Sequence, residues 1–209
     1  MTGAPTWPRR LNVKKEASLM SDLRLLGVSG SLRRESNNTA LLRTLQDSMP
    51  TDIEMSVKTL HDIPLYDQDL ENGGTPQAVR EFRAEIEASD GLIVCSPEYN
   101  CGMPGVLKNA LDWASRPVSP MKGKPILIVT SSPAFTGGVR AQAQLRDVLT
   151  GMLARVIVWP QVVIAGVHGK VQNGRLVDEP SLQFLRDAVG GLVAEISLLP
   201  RSLSSIVRT

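Results

Sequence analysis

Two short runs, GLIVC (Gly91–Cys95) and PILIVT (Pro125–Thr130), are almost wholly apolar, and each gives way to a polar loop marked by glycine and proline. A continuous apolar run of that length suits a strand buried on both faces; a half-exposed strand would alternate, and a buried helix would be longer. Weaker strand signals stand at Leu23–Val28, Ile53–Leu60 and Val156–Ala165. Between the strands, apolar residues recur at helical spacing. They are Leu41, Leu42 and Leu45 in a segment from about Thr39, and Val79, Phe82 and Ile86 after Pro76, with Thr75 as N-cap. Val106, Leu107, Ala110, Leu111 and Ala114 follow Pro104, and a fourth segment carries Ala141, Leu145, Val148, Leu149 and Met152. The last, after Pro180, carries Leu182, Leu185, Val189, Leu192 and Ile196. Strand and helix alternating in this way predict an α/β fold of three layers, a five-stranded parallel sheet with helices on both faces.

A leading order for such a sheet is the flavodoxin-like 2-1-3-4-5, in which ligands bind beyond the carboxyl ends of the strands, where the order reverses. The loops SGSLRRESNN, SPEYNCGMP and SSPAFTGG then converge, while HDIPLYDQDLENGG lies farther out. Lys170–Val177, with Asn-Gly at its centre, predicts a small hairpin before the last helix. Residues 1–20 lack the apolar core of a signal peptide and read as a flexible tail, with Met20 as an alternative translational start; residues 21–209 read as one domain. A net charge of +2 without dense basic runs argues against nucleic acid. No run approaches the roughly 20 apolar residues that span a bilayer. Two cysteines, Cys95 and Cys101, are too few for a disulfide framework and point to a reducing cytoplasm.

The first loop has neither Gly-Lys-Ser/Thr nor G-x-G-x-x-G. It joins short donors to a helix start, which suits a phosphate monoester: helix N–H groups face the dianion, hydroxyls and amides complete its shell, and a guanidinium offsets its charge. Ser31, Ser36 and Asn38 are the candidate donors and Arg33 the candidate cation. The alternative is a solvated loop in which Ser36 or Asn37 only caps the helix. In the second loop, Pro97-Glu98-Tyr99-Asn100 runs into Gly102 and Pro104, a tight turn that can aim backbone groups at a planar ring. Phosphate at one loop and a flat heterocycle at the next fit a mononucleotide, FMN foremost.

GSLRRESNNTAL, PLYDQDL, PEYNCGMPGVLKNALDW and SSPAFTGGVRAQAQLRDVL together resemble the NADPH-dependent FMN reductase family, its chromate/quinone reductase branch most of all. The resemblance runs from about Leu23 to the last helix. It implies that Ser31, Arg33, Ser36, Asn37 and Asn38 hold the FMN phosphate, and that Glu98, Tyr99, Asn100 and Cys101 line the isoalloxazine. Ser131 and Ser132 contribute from the loop after the fourth strand. Relatives often carry glycine or tyrosine where this chain has Cys101. The resemblance also implies that NADPH or NADH passes hydride to flavin N5, after which a quinone, chromate or similar acceptor takes its place in a ping-pong sequence. On that reading the cofactor carries the chemistry, so no catalytic residue and no metal is named. The resemblance favours a homodimer or homotetramer.

His61 and His168 lie outside the three converging loops and read as surface residues. Arg116, Lys122 and Lys124 read as solvated charges or as attractors of the NADPH phosphate. Rival readings are a flavodoxin-type electron carrier and a reductase that uses FMN as an exchangeable substrate. An aromatic content of only 4% and a slightly basic balance weigh against the carrier. A phospho-receiver domain fails because Cys95 and Ser96, not a carboxylate, end the third strand.

Overall fold

The computed structural model describes residues 23–199; the expected tail and Met20 lie outside them. Strands β1 (Leu23–Ser29), β2 (Ile53–Lys58), β3 (Gly91–Ser96) and β4 (Pro125–Ser132) form a parallel sheet with the expected order β2-β1-β3-β4-β5. The fifth position is not the continuous strand expected over 156–165. Two pieces share it: β5 (Arg155–Val156) pairs with the start of β4, and β6 (Val162–Ala165) pairs with its end. Trp159-Pro160 falls between them, and proline has no N–H to give to a ladder.

Side-chain alternation divides the core in two. Leu26 and Val28 of β1, Leu92 and Val94 of β3, and Ile126 and Ile128 of β4 pack on one face. That face is covered by α3 (Gln77–Ala88), α4 (Gly105–Ala114) and α5 (Val139–Gly151). The intervening residues Leu25, Ile93, Cys95, Leu127 and Val129 face α1 (Asn37–Asp47) and α6 (Glu179–Ser197). All six residues of β3 and all eight of β4 are buried, as their unbroken hydrophobicity predicts. Register sets Ser29 opposite Cys95 and Cys95 opposite Val129, so the crests of β1, β3 and β4 stand level.

Local details depart from expectation in three places. Helix α1 starts at Asn37 rather than near Thr39, because Ser36 caps it. Helix α3 has Pro76, not Thr75, at its N-cap, and no side chain caps it. A short helix, α2 (Gln68–Asn72), interrupts the loop after β2, opened by Asp67 as its cap. The hairpin before α6 is present: β7 (Val171–Gln172) and β8 (Arg175–Leu176) are joined by Asn173 and Gly174, with φ of 49° and 73°. Both turn residues are left-handed, as a two-residue hairpin loop requires.

Candidate functional site

The first loop leaves β1 under tight constraint. Gly30 donates to Cys95 O at 2.8 Å, and a Cβ on Gly30 would stand 2.9 Å from Leu107 Cδ2. Ser31 is buried and its Oγ accepts from Arg33 N, while Arg33 itself is exposed. Ser36 is also buried, and its Oγ accepts from Thr39 N at 3.3 Å. The capping reading of Ser36 is therefore correct, and it does not compete with an anion site. The first intrahelical bond is Ala40 N to Ser36 O, so Asn37 and Asn38 belong to the first turn, whose N–H groups find no partner within the helix. Asn38 is buried, and its Oδ1 accepts from Cys95 Sγ at 3.2 Å. Burial pushes the Cys95 thiol well above its ordinary range, so it stays protonated and remains a donor. Beside this pair, Ser29 Oγ and Thr39 Oγ1 lie 2.7 Å apart.

The second loop folds into a miniature hairpin. Tyr99 N donates to Gly102 O at 2.9 Å and Gly102 N to Tyr99 O at 3.0 Å, with Asn100 and Cys101 at the tip in left-handed conformations of 48° and 64°. Tyr99, Asn100 and Cys101 are all exposed. Two side-chain contacts fix this hairpin to α5. Glu98 Oε2 accepts from Arg140 N at 2.9 Å and Ala141 N at 3.1 Å, capping the helix, and Gln144 Oε1 accepts from Met103 N at 2.7 Å. Glu98 thus commits its carboxylate to a helix end, where the dipole favours a negative charge. Gly102 admits the Gln144 side chain, since a Cβ there would come within 2.7 Å of Gln144 Oε1.

The third loop turns back through Gly137 and Gly138, with φ of 62° and 96°. A Cβ on Gly138 would stand 3.1 Å from Thr130 Cβ, so glycine is needed for closeness as well as for conformation. Ser132 Oγ accepts from Ala134 N at 3.2 Å. Ser131 Oγ and Thr130 Oγ1 are buried without a hydrogen-bond partner. Buried hydroxyls are nearly always paired, so each is an exception; as consecutive strand residues they face opposite sides of the sheet.

A cleft of about 340 Å³ opens between the first two loops, lined by Leu32, Arg33, Tyr99, Pro104, Gly105 and Val106. One wall comes from the loop after β1; the facing wall comes from the hairpin after β3 and the first turn of α4. Its lining is apolar apart from the Arg33 guanidinium and the Tyr99 hydroxyl. A ligand with a flat ring and an anionic end matches this lining, an apolar slot with a guanidinium beside it. The residues present fit FMN on those grounds. Leu32 and the α4 turn carry no polar signature, so sequence reasoning passed over them.

Other groups resolve differently from their sequence readings. Arg116 pairs with Glu71 at 2.9 Å and lies over the Tyr66 ring, so its charge is engaged away from the cleft. Lys124 donates to Ser89 O at the end of α3, and Lys122 is exposed. His61, read as a surface residue, is exposed, but its Nε2 lies 3.0 Å from Leu32 O in the first loop. Gln144 and His61 both act across distances in sequence that no local pattern reveals. Among the described residues no cluster of His, Cys, Asp and Glu is arranged to hold a metal.

Comparison with known proteins agrees with this geometry. The family model of the NADPH-dependent FMN reductases matches residues 23–169. An NAD(P)H-dependent FMN reductase of Pseudomonas aeruginosa is 38% identical over 176 residues, covering 83% of this chain and 95% of the relative. A quinone reductase of Escherichia coli is 39% identical over 168 residues, covering 78% of this chain and 89% of the relative. Among solved structures, the flavoenzyme NAD(P)H:(acceptor) oxidoreductase FerB of Paracoccus denitrificans superposes with a TM-score of 0.73 at 32% identity, covering 84% of this chain and 97% of that one. The level crests of β1, β3 and β4, the cleft between the first two loops and these matches lead to one conclusion: the chain belongs to the NADPH-dependent FMN reductase family.

Proposed function

We propose that the protein is an FMN-dependent NAD(P)H oxidoreductase that passes electrons to quinones. The cleft carries this reading: its lining joins the Arg33 guanidinium and the Tyr99 ring to the apolar Leu32, Pro104 and Val106. When bound, FMN supplies the hydride-accepting and electron-donating chemistry. The protein's share is position. The first-turn amides of α1, with Ser31, Asn37 and Arg33, receive the phosphate; Ser36 keeps that turn capped, and Asn38 ties it to β3 through Cys95. Ser131 and Ser132 offer hydroxyls from the crest of β4.

Tyr99, Asn100 and Cys101 border the ring, and Glu98 and Gln144 hold their hairpin against α5. Among the described residues the cleft lining contains no carboxylate and no histidine, so water supplies the protons that a reduced quinone takes up. Donor and acceptor use the same open side in turn, which makes the kinetics ping-pong. Chromate is the less favoured acceptor, because among the described residues Arg33 is the one cation in the lining. Two unpaired cysteines support a cytoplasmic place of action, and no described helix is long and apolar enough to cross a membrane.

The test is a visible spectrum of the purified full chain, taken before and after anaerobic NADPH and, separately, NADH. A flavin band that bleaches with either donor and returns on adding a quinone supports the reading, and the two bleaching rates rank the donors. A bound flavin that neither donor bleaches would instead make the protein an electron carrier.

A further inference from the structure

We infer that His61 is a positioning residue of the cofactor cleft, bracing the loop after β1 against the loop after β2 so that Leu32 and Arg33 keep their distance from the opposite wall. The inference rests on the FMN reading of that cleft. His61 Nε2 lies 3.0 Å from Leu32 O. A carbonyl only accepts, so the ring carries its proton on Nε2, which the imidazolium and one neutral tautomer both supply.

The brace is anchored at its far end. His61 stands between two buried residues, Leu60 and Ile63, so its backbone is fixed while its ring reaches outward. Next along the loop, Pro64 O accepts from Asn109 Nδ2 at 2.8 Å and from Trp113 Nε1 at 2.9 Å, and Tyr66 N donates to Asn109 Oδ1 at 2.7 Å. Asn109 and Trp113 belong to α4, whose first turn forms the facing wall of the cleft. A continuous path of bonds therefore runs from one wall, through Pro64 and His61, to Leu32 on the other.

The loop needs such a tie. Leu32, Arg33, Arg34 and Glu35 are all exposed. Among the described residues, their hydrogen bonds are the local one from Arg33 N to Ser31 Oγ and the one from His61, which alone reaches another part of the chain. Removing the imidazole leaves Arg33 placed by its immediate neighbours only.

Two variants test this, His61→Ala and His61→Gln, the second keeping an amide donor for the same carbonyl. The first readout is limited tryptic cleavage after Arg33 and Arg34 in the cofactor-free full chain. Loss of one hydrogen bond predicts about fivefold faster cleavage in His61→Ala, with the melting temperature lowered by no more than about 4 °C, and substantial recovery in His61→Gln. The second readout is FMN affinity by fluorescence quenching, expected to weaken about fivefold in His61→Ala and to recover in His61→Gln. Equal tryptic rates in wild type and His61→Ala overturn the brace. Faster cleavage with unchanged FMN affinity overturns its role at the cofactor site. A wild-type chain that binds no FMN at all sinks the reading of the cleft itself, and with it the positioning role, whatever the tryptic rates.

Discussion

Cys101 holds a backbone conformation, φ of 64°, that costs an ordinary L-residue about 1 kcal/mol or more, whereas Asn100 beside it is of a type at home there. Replacing Cys101 by glycine relieves that cost, and the Cys101→Gly variant is expected to melt about 2–4 °C higher in a calorimetric scan. An unchanged or lower melting temperature would show that the tip is not strained. A tight turn was expected here, but not its closing as a two-residue hairpin, because Asn-Gly is the strong signal for one and Asn-Cys is not. At Lys170–Val177, where Asn-Gly is present, the hairpin was legible. Other single residues hide their business from the sequence. Ser36 reads as a cap and is one; Asn38 reads as a ligand donor, and the other end of its amide, the oxygen, accepts from a thiol 57 positions away.

Helix α5 opens with Gly138 and has no cap of its own, so its first amides rely on Glu98, an acceptor more than 40 residues upstream. A charged cap with two donors is worth about 1–2 kcal/mol, and Glu98→Ala is expected to lose roughly that amount in urea unfolding. Glu98→Gln, which keeps the oxygen but not the charge, is expected to lose less. Helix α6 is capped locally by Asp178, whose side chain accepts from Ser181 N at 3.0 Å. The Ser181 hydroxyl first and its backbone N–H second, helped by Lys170, lower the Asp178 pKa below its ordinary value. A depressed carboxyl contributes stability above its unfolded pKa, about 3.9, and the contribution fades as pH falls through the lower, folded value. The advantage of wild type over Asp178→Ala, measured by denaturant unfolding, is therefore expected to be full at neutral pH and to close below about pH 4. An advantage that persists to pH 2 would reject this account. The strands buried on both faces were the most legible elements, since nothing but a covered strand explains GLIVC and PILIVT. Helix α5 was visible from its apolar spacing, but its cap was not, because the partner comes from another loop of the fold.

At the scale of the whole molecule, the order of the sheet and the meeting of three loops followed from strand–helix alternation and one topological rule. What escaped was the bracing between loops: Gln144 to Met103 and His61 to Leu32 are contacts created by the fold. The two helices with apolar residues on more than one face, α4 and α6, spend most of them inward, on Leu107, Leu111 and Trp113 and on Leu185, Val189 and Leu192. Leu65, Phe135 and Val118 remain well exposed, at 82%, 93% and 64%, large apolar side chains that a second copy could cover. Self-association is accordingly expected: size-exclusion chromatography with light scattering at micromolar concentration should give twice the monomer mass or more. A single monomer peak would refute it.

The notch in the fifth strand limits how copies can meet. That side of the sheet ends in a two-residue piece and a four-residue piece separated by a proline-bearing detour, so it presents no long row of backbone donors and acceptors to a stranger. Neighbouring molecules cannot stitch their sheets into one continuous ribbon along that margin. Whatever contact they make there must be side chain to side chain.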